Sequence, residues 1–140
     1  MNNKILVPVD GSKNSEKGLR YACWLAQKIG GTLTILNVVR IPLDGESAGF
    51  QIKPLIDAGQ MVLDKAKEII KNEKDGVDTK FVLRQGSDNA GNEIVKFGKE
   101  NNCSLIVMSA KGHSALKHLL LGSVSETVTK HSSCSVLIVK

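Results

Sequence analysis

Short apolar runs alternate with longer amphipathic segments along all 140 residues of this chain. Runs rich in Val, Ile and Leu predict β-strands at 4–9, 32–39, 79–84, 104–108 and 135–139. The intervening segments space their apolar residues three and four positions apart, which is typical of helices with one buried face. Helices are predicted at 14–29, from Pro54 to the Asp75-Gly76 turn, after the 86–88 turn to Glu100, and at 123–131.

Strict alternation of strands and helices constrains the fold strongly. The strands are mostly continuous apolar runs, as in a parallel sheet covered on both faces. Right-handed crossovers then give an α/β fold, a three-layer α/β/α sandwich with a five-stranded parallel sheet, which we expect to be one domain over 1–140. The partly alternating run 79–84 is predicted to be an edge strand. Residues 40–53 contain Pro42, Gly45 and Gly49 without a period, and therefore predict a long loop before Pro54.

Composition excludes several classes of protein. The net charge is +5, but the lysines are scattered and no aromatic residues are interleaved with them, so we expect no nucleic-acid partner. No apolar run approaches the roughly 20 residues of a membrane span. No signal peptide is recognisable, so a cytoplasmic protein without membrane contact is expected.

The chain has three cysteines, Cys23, Cys103 and Cys134, at wide spacing. The favoured interpretation is that they are small apolar residues kept reduced. Cys103 and Cys134 each precede a predicted strand and could lie on the same rim of the sheet, which leaves a redox role as the weaker alternative.

Two loops at the carboxyl ends of predicted strands carry suggestive chemistry. After Ser109 comes a loop rich in small and basic residues, and Gly122-Ser123 then begins a helix, an arrangement that turns backbone N–H groups toward an anion. After the first strand comes Asp10, which could accept from a ribose hydroxyl, hold a metal or cap a turn. Ligands of open α/β sheets bind at such strand ends. A P-loop, a dinucleotide GxGxxG and a hydrolytic triad are not found in the sequence.

Taken together, these residues resemble the universal stress protein family over essentially the whole chain. The resemblance is carried by Ile-Leu-Val-Pro-Val-Asp-Gly-Ser at 5–12, the Gly86-Ser-Asp88 turn, the strand at 105–108 and Leu-Leu-Leu-Gly-Ser-Val-Ser-Glu at 119–126, followed by Cys-Ser-Val-Leu-Ile-Val at 134–139. It implies an adenine nucleotide alpha hydrolase-like fold with strand order 3-2-1-4-5 and a switch point between strands one and four. It also implies a homodimer formed through strand 135–139, which would otherwise leave an apolar edge exposed.

The nucleotide-binding branch of that family carries Gly-x2-Gly-x9-Gly-(Ser/Thr) after strand four. This sequence matches it at Gly112, Gly122 and Ser123, but Ser109 replaces the first glycine. The resemblance implies that Asp10 meets the ribose or a phosphate-bound Mg²⁺. The residues implied to bind the cofactor are Pro8, Val9, Asp10, Val38, Met108, Ser109, Lys111, Gly112, His113, Gly122, Ser123, Val124 and Ser125.

The function expected from this resemblance is an ATP-binding stress-response regulator with an unknown protein partner. No positioned general base is evident, so no catalytic residue is assigned and hydrolysis should be slow at most. Two alternatives stay open. Ser109 motivates a nucleotide-free dimeric interaction module, and Asp10 as a metal-holding residue motivates a true ATPase or phosphotransferase.

Overall fold

A computed structural model describes residues 3–43, 45–73, 76–112 and 120–140. Strands and helices alternate from end to end. They are β1 (Lys4–Pro8), α1 (Lys13–Ile29), β2 (Thr32–Arg40), α2 (Gly45–Asn72), β3 (Thr79–Gly86), α3 (Ala90–Glu100), β4 (Leu105–Ser109), α4 (Ser123–His131) and β5 (Ser135–Val139). No described helix combines the length and the apolarity needed to cross a membrane.

All strands are parallel and lie in the order β3-β2-β1-β4-β5, which confirms the predicted sheet and the edge position of β3. Because β1 pairs with both β2 and β4, the chain changes direction across the sheet between β1 and β4. This is the switch point at which ligands of such sheets bind.

The core lies in two layers, one on each face of the sheet. Ile5 and Val7 of β1 pack with Leu19 of α1 and Leu63 of α2 on one face. The intervening Leu6 points to the opposite face, where it packs with residues of α3 and α4 such as Ile94 and Val128. Helices cover both faces, which confirms the three-layer sandwich.

The predicted loop over 40–53 is wrong, because α2 begins at Gly45 and Pro54 lies inside the helix. Two glycines and a proline within 45–54 are residues of low helix propensity, which is why the sequence predicts a loop here. A proline removes one helical hydrogen bond, and in an exposed turn water can satisfy the carbonyl group left without a donor.

The edge strand β3 is fixed to α3 by a buried carboxylate. Glu93 is 4% exposed; it accepts from Arg84 Nε at 3.0 Å and from the backbone N–H of Asp88 at 3.1 Å. The Arg84 guanidinium also donates to Glu100 at 2.8 Å. The carboxylate lies directly over Gly86, where any Cβ would overlap it. The pKa of Glu100 is lowered from its ordinary value, chiefly by the hydrogen bond from Arg84.

Candidate functional site

A cavity opens at the carboxyl edge of the sheet, between the ends of β1 and β4. Its volume of about 200 Å³ is several times the roughly 30 Å³ that one water molecule occupies, so it can accept an organic ligand. Most of the residues predicted to bind a cofactor line it. They are Pro8, Val9, Asp10, Val38, Met108, Ser109, Lys111, Gly112, Gly122, Ser123, Val124 and Ser125. The predicted His113 lies outside the described residues.

Asp10 lies where the loop after β1 meets the loop after β4. Its Oδ1 accepts from the backbone N–H of Ser12 at 2.9 Å, and its own N–H donates to Ser15 Oγ at 3.4 Å. A Cβ on Gly112 would overlap Oδ2 of Asp10. Glycine at this position therefore lets the two loops approach closely. Asp10 therefore caps this turn, as one of the three predicted roles required. The hydrogen bond from Ser12 holds its carboxylate in the cavity wall.

Ser12 and Ser15 fix the same turn from the side of α1. Ser12 is the N-cap of this helix, and its Oγ accepts from the backbone N–H of Ser15 at 3.1 Å. The Ser15 hydroxyl donates back to the Ser12 carbonyl group at 3.1 Å. Gly11 between Asp10 and Ser12 has φ 84°, a left-handed conformation that favours glycine. Asp10 is thus held by backbone and side-chain hydrogen bonds that need no ligand.

Ser109 is the last residue of β4 and is 9% exposed. Its hydroxyl donates to the carbonyl group of Lys111 at 2.9 Å. Gly18 of α1 packs against the backbone here, since a Cβ on Gly18 would lie 3.0 Å from the nitrogen of Ser109. The hydroxyl is therefore used to hold the start of the loop, and the backbone that it stabilises forms part of the cavity wall.

The other end of this loop is closed by hydrogen bonds to Ala110. The backbone N–H of Gly122 donates to the Ala110 carbonyl group at 2.7 Å, and the buried Ser125 hydroxyl donates to the same oxygen at 2.6 Å. Gly122 is the N-cap of α4, and it makes no side-chain hydrogen bond to the first turn. The first N–H groups of a helix have no intrahelical partner, and the helix dipole makes this end positive. Ser123, Val124 and Ser125 thus bring the positive end of a helix to the cavity, an arrangement that in other proteins favours anions.

Comparison with known proteins agrees with this architecture. The model of the universal stress protein family matches residues 1–140. The chain belongs to the universal stress protein family. Among curated relatives, universal stress protein YxiE of Bacillus subtilis is 37% identical over 152 residues, covering 100% of each chain. Universal stress protein MJ0531 of Methanocaldococcus jannaschii is 34% identical, over 98% of this chain and 81% of the relative.

Solved structures of family members have the same fold. Hypothetical protein MJ0577 superposes with a TM-score of 0.82 at 29% identity, covering 100% of this chain and 96% of its own. A universal stress protein from Archaeoglobus fulgidus in complex with dAMP has a TM-score of 0.78 at 21% identity, and the match covers 100% of this chain and 98% of that one. A universal stress protein in complex with cAMP has a TM-score of 0.76 at 23% identity, covering 99% and 97%. Nucleotides therefore occur in complexes of proteins with this fold.

The cavity also contains residues that the sequence analysis of this family member did not single out. Asn37 is the most informative of them. It is 7% exposed in β2, and its Nδ2 donates to the carbonyl group of Val9 at 2.8 Å. It braces the end of β1 from the neighbouring strand, and the signal was a lone amide inside an apolar run. The other additions to the lining are Ser15, Leu36, Ala90 and Ile94.

The charged groups of the described cavity lining are few. Asp10 is the acidic side chain of this lining, and Lys111 is the basic one. Within the described part of the chain, no cluster of three or more His, Cys, Asp or Glu side chains could hold a metal ion.

Proposed function

We propose that this universal stress protein binds ATP in the cavity between β1 and β4 and acts as a stress-response regulator. The observation that carries the proposal is the division of the cavity lining into two chemical kinds. Apolar side chains such as Val9, Val38 and Met108 line the cavity together with the first turn of α4, whose N–H groups are positive. An adenine nucleotide has the same two parts, a flat apolar base and a chain of anionic phosphates.

The residue roles follow from this division. Pro8, Val9, Val38 and Met108 would contact the adenine, and Asp10 would accept from a ribose hydroxyl. The phosphates would face the loop from Ser109 to Gly112 and the N–H groups of residues 123–125, with Lys111 adding positive charge. His113, adjacent to Lys111 in the sequence, stays a predicted contributor of charge.

Mg²⁺ fits this proposal only as an ion coordinated by the phosphates of the nucleotide. The ion prefers an octahedral set of oxygen ligands and usually binds through one or two carboxylates plus substrate phosphates. Asp10 is the carboxylate that the described cavity lining offers. When bound, the ion would neutralise phosphate charge, and the protein would contribute Asp10 to its coordination.

Ser109 decides between this proposal and a nucleotide-free interaction module. A serine in place of the first motif glycine adds a side chain at the cavity wall. Its hydroxyl is satisfied by the Lys111 carbonyl group at 2.9 Å, so it brings no unpaired polar group into the cavity. This hydrogen bond favours a loop that is organised before the nucleotide arrives, and therefore favours binding.

A true ATPase is the less supported alternative. Hydrolysis needs a group that positions or deprotonates the attacking water. Asp10 is the acidic side chain of the described lining, and its Oδ1 already accepts the N–H of Ser12. We therefore propose that hydrolysis is slow at most.

Assembly and location complete the proposal. β5 is an edge strand whose apolar residues Val136 to Val139 are only partly covered. An uncovered apolar edge favours pairing with a second copy, so we propose a homodimer through Ser135–Val139. The single domain over 1–140, the cytoplasmic location and a further protein partner stay predictions.

Nucleotide released from the freshly purified protein tests the binding proposal most directly. We expect mass spectrometry to identify ATP, and we expect added ATP with Mg²⁺ to raise the melting temperature. At a concentration 100 times Kd, binding should stabilise the folded state by about 2.7 kcal/mol. Parallel titrations with dAMP, cAMP and GTP measure the preference for base and phosphate. The absence of both co-purified nucleotide and an ATP-dependent shift would refute ATP binding and favour the interaction module.

A further inference from the structure

At the rim of the sheet opposite the nucleotide cavity, two cysteines lie at the start of neighbouring strands. Cys103 precedes β4 and Cys134 precedes β5, and both line the same surface hollow. Both sulfur side chains pack against the apolar cluster between the sheet and helices α3 and α4. The two thiols therefore share one rim and one face of the sheet.

The strand register indicates how near they are. Leu105 pairs with Ser135, so Cys134 precedes one member of this pair by one residue and Cys103 precedes the other by two. Cys103 lies before the first residue of β4, in the turn that follows α3, where its N–H donates to the Gly98 carbonyl group at 2.9 Å. This turn places its side chain in the same hollow and the same apolar cluster as Cys134. A disulfide spans roughly 4.4 to 6.8 Å between Cα atoms, and the oxidation experiment below tests whether the pair closes to this distance.

The ionisation of Cys103 agrees with this proximity. Burial raises the pKa of the Cys103 thiol, and the negative charge of a Cys134 thiolate raises it further, while Lys4 lowers it. The Ser132 hydroxyl lies 3.4 Å from the Cys134 sulfur and donates to the Cys134 carbonyl group at 2.9 Å. Because burial disfavours the Cys103 thiolate, we assign the second step of the reaction below to Cys103.

We propose that Cys103 and Cys134 form a thiol redox site that closes to an intramolecular disulfide when the protein meets a peroxide. Nothing in the proposed nucleotide function uses either residue. The remaining cysteine, Cys23, is 3% exposed and packs with Leu19 on the other face of the sheet. It lies across the sheet from the pair and serves as an internal control.

The reaction proceeds in two steps. The Cys134 thiolate attacks one oxygen of hydrogen peroxide, the O–O bond breaks, and the departing hydroxide takes up the thiol proton to leave as water. The Cys103 sulfur then attacks the resulting Cys134 sulfenic acid, the S–O bond breaks, and a second water leaves with the Cys103 proton. Two thiols lose two electrons to the peroxide, and one S–S bond forms.

The disulfide would join the two ends of the segment that carries part of the nucleotide cavity. Residues 104–133, which lie between the cysteines, include β4, the glycine loop and α4. Oxidation would thus close a covalent loop around Gly112 and Gly122 without touching either. Oxidation at this rim would therefore constrain the loop at the opposite edge of the sheet.

Peptide mass mapping tests the proposal. The full chain is reduced, freed of reductant, treated with one equivalent of hydrogen peroxide and alkylated under denaturing, non-reducing conditions. We expect a cross-linked peptide pair containing Cys103 and Cys134 in monomeric protein, with Cys23 alkylated, and dithiothreitol should reverse it. The Cys23→Ser variant should behave like the wild type, whereas Cys103→Ser and Cys134→Ser should form no intramolecular link.

Three outcomes would overturn the proposal. In the first, both cysteines remain fully alkylatable after peroxide treatment. In the second, Cys134 is oxidised to sulfinic acid and Cys103 stays free. In the third, the cross-link joins two chains, which gel filtration under denaturing, non-reducing conditions would reveal. Because the wild-type chain carries the main measurement, a variant that fails to fold leaves the result intact.

Discussion

Replacing Gly112 by alanine tests the contact on which the proposed site depends. A Cβ at this position would overlap Oδ2 of Asp10 and lie 3.5 Å from its Cγ. The carboxylate would have to rotate away, because the methyl group has no freedom of its own. The rotation would break or lengthen the 2.9 Å hydrogen bond that Asp10 accepts from the N–H of Ser12.

The size of the effect follows from this hydrogen bond. A hydrogen bond to a charged group contributes about 1.5 to 3 kcal/mol. Alanine in place of glycine restores roughly 0.4 to 1 kcal/mol where the backbone accepts it. We therefore expect Gly112→Ala to lower the free energy of unfolding by about 1 to 2 kcal/mol. If Asp10 contacts the ribose, ATP affinity should fall about tenfold to a hundredfold, since each 1.4 kcal/mol is a factor of about ten.

Calorimetric titration with ATP and Mg²⁺ measures the loss of affinity, and urea denaturation measures the loss of stability. Gly98→Ala in α3 is the matched control, because a Cβ there would meet only side-chain carbons of Leu6 and Ile106, at 3.5 and 3.6 Å. A double-mutant cycle isolates the cause. In an Asp10→Ala background the carboxylate is gone, so Gly112→Ala should cost little more. If Gly112→Ala behaved like Gly98→Ala in both assays, the proposed contact would be refuted.

Three further predictions concern other parts of the chain. Ser109→Gly should lower the free energy of unfolding by about 1 to 2 kcal/mol in urea denaturation, because it removes the hydrogen bond to the Lys111 carbonyl group and adds backbone freedom. Its ATP affinity should change less than about tenfold; a sharp gain would favour the nucleotide-free module. The Glu100 pKa is lowered by Arg84, so this carboxylate stabilises the fold above its ordinary value of 4.5 and loses that effect as pH falls through the lowered value. Glu100→Gln should therefore flatten the acid limb of stability against pH, and an unchanged limb would contradict the assignment. The Cys103–Cys134 disulfide should raise the thermal midpoint by stabilising the fold by about 3 to 4 kcal/mol, as expected for a closed loop of about 30 residues, and Cys103→Ser should show no oxidant-dependent shift.

The architecture was largely predictable because its signals are local and repeated. Each strand is a compact apolar run, and each run meets a helix on either face of the sheet. The strand order is not a local property, and it came from the family resemblance. The start of α2 was missed because it contains Gly45, Gly49 and Pro54, residues of low helix propensity. Proline marks the end of a helix reliably only where water cannot replace the backbone hydrogen bond that proline removes.

The meeting of the two loops was predictable for a topological reason. Asp10 and Gly112 are far apart in sequence, but β1 and β4 are neighbours and parallel, so their carboxyl ends share one edge. Asn37 was overlooked because an amide within a strand was taken as part of the apolar run. Its hydrogen bond to the Val9 carbonyl group requires a partner on a neighbouring strand, which no local pattern reveals.

Sequence motifs identify which residues meet, but they do not identify the hydrogen bonds that those residues form. Ser109 and Ser125 are among the residues that the family resemblance implies for nucleotide binding, which suggests hydroxyl contacts to phosphate. In the folded chain both hydroxyls donate to backbone carbonyl groups, those of Lys111 and Ala110. The proposed phosphate contacts are therefore assigned to the backbone N–H groups at the start of α4, with Lys111 beside them, and the serines hold this arrangement in place. Substituting either serine should then act through the order of the loop, and a conservative threonine should restore binding only where its hydroxyl reaches the same carbonyl group.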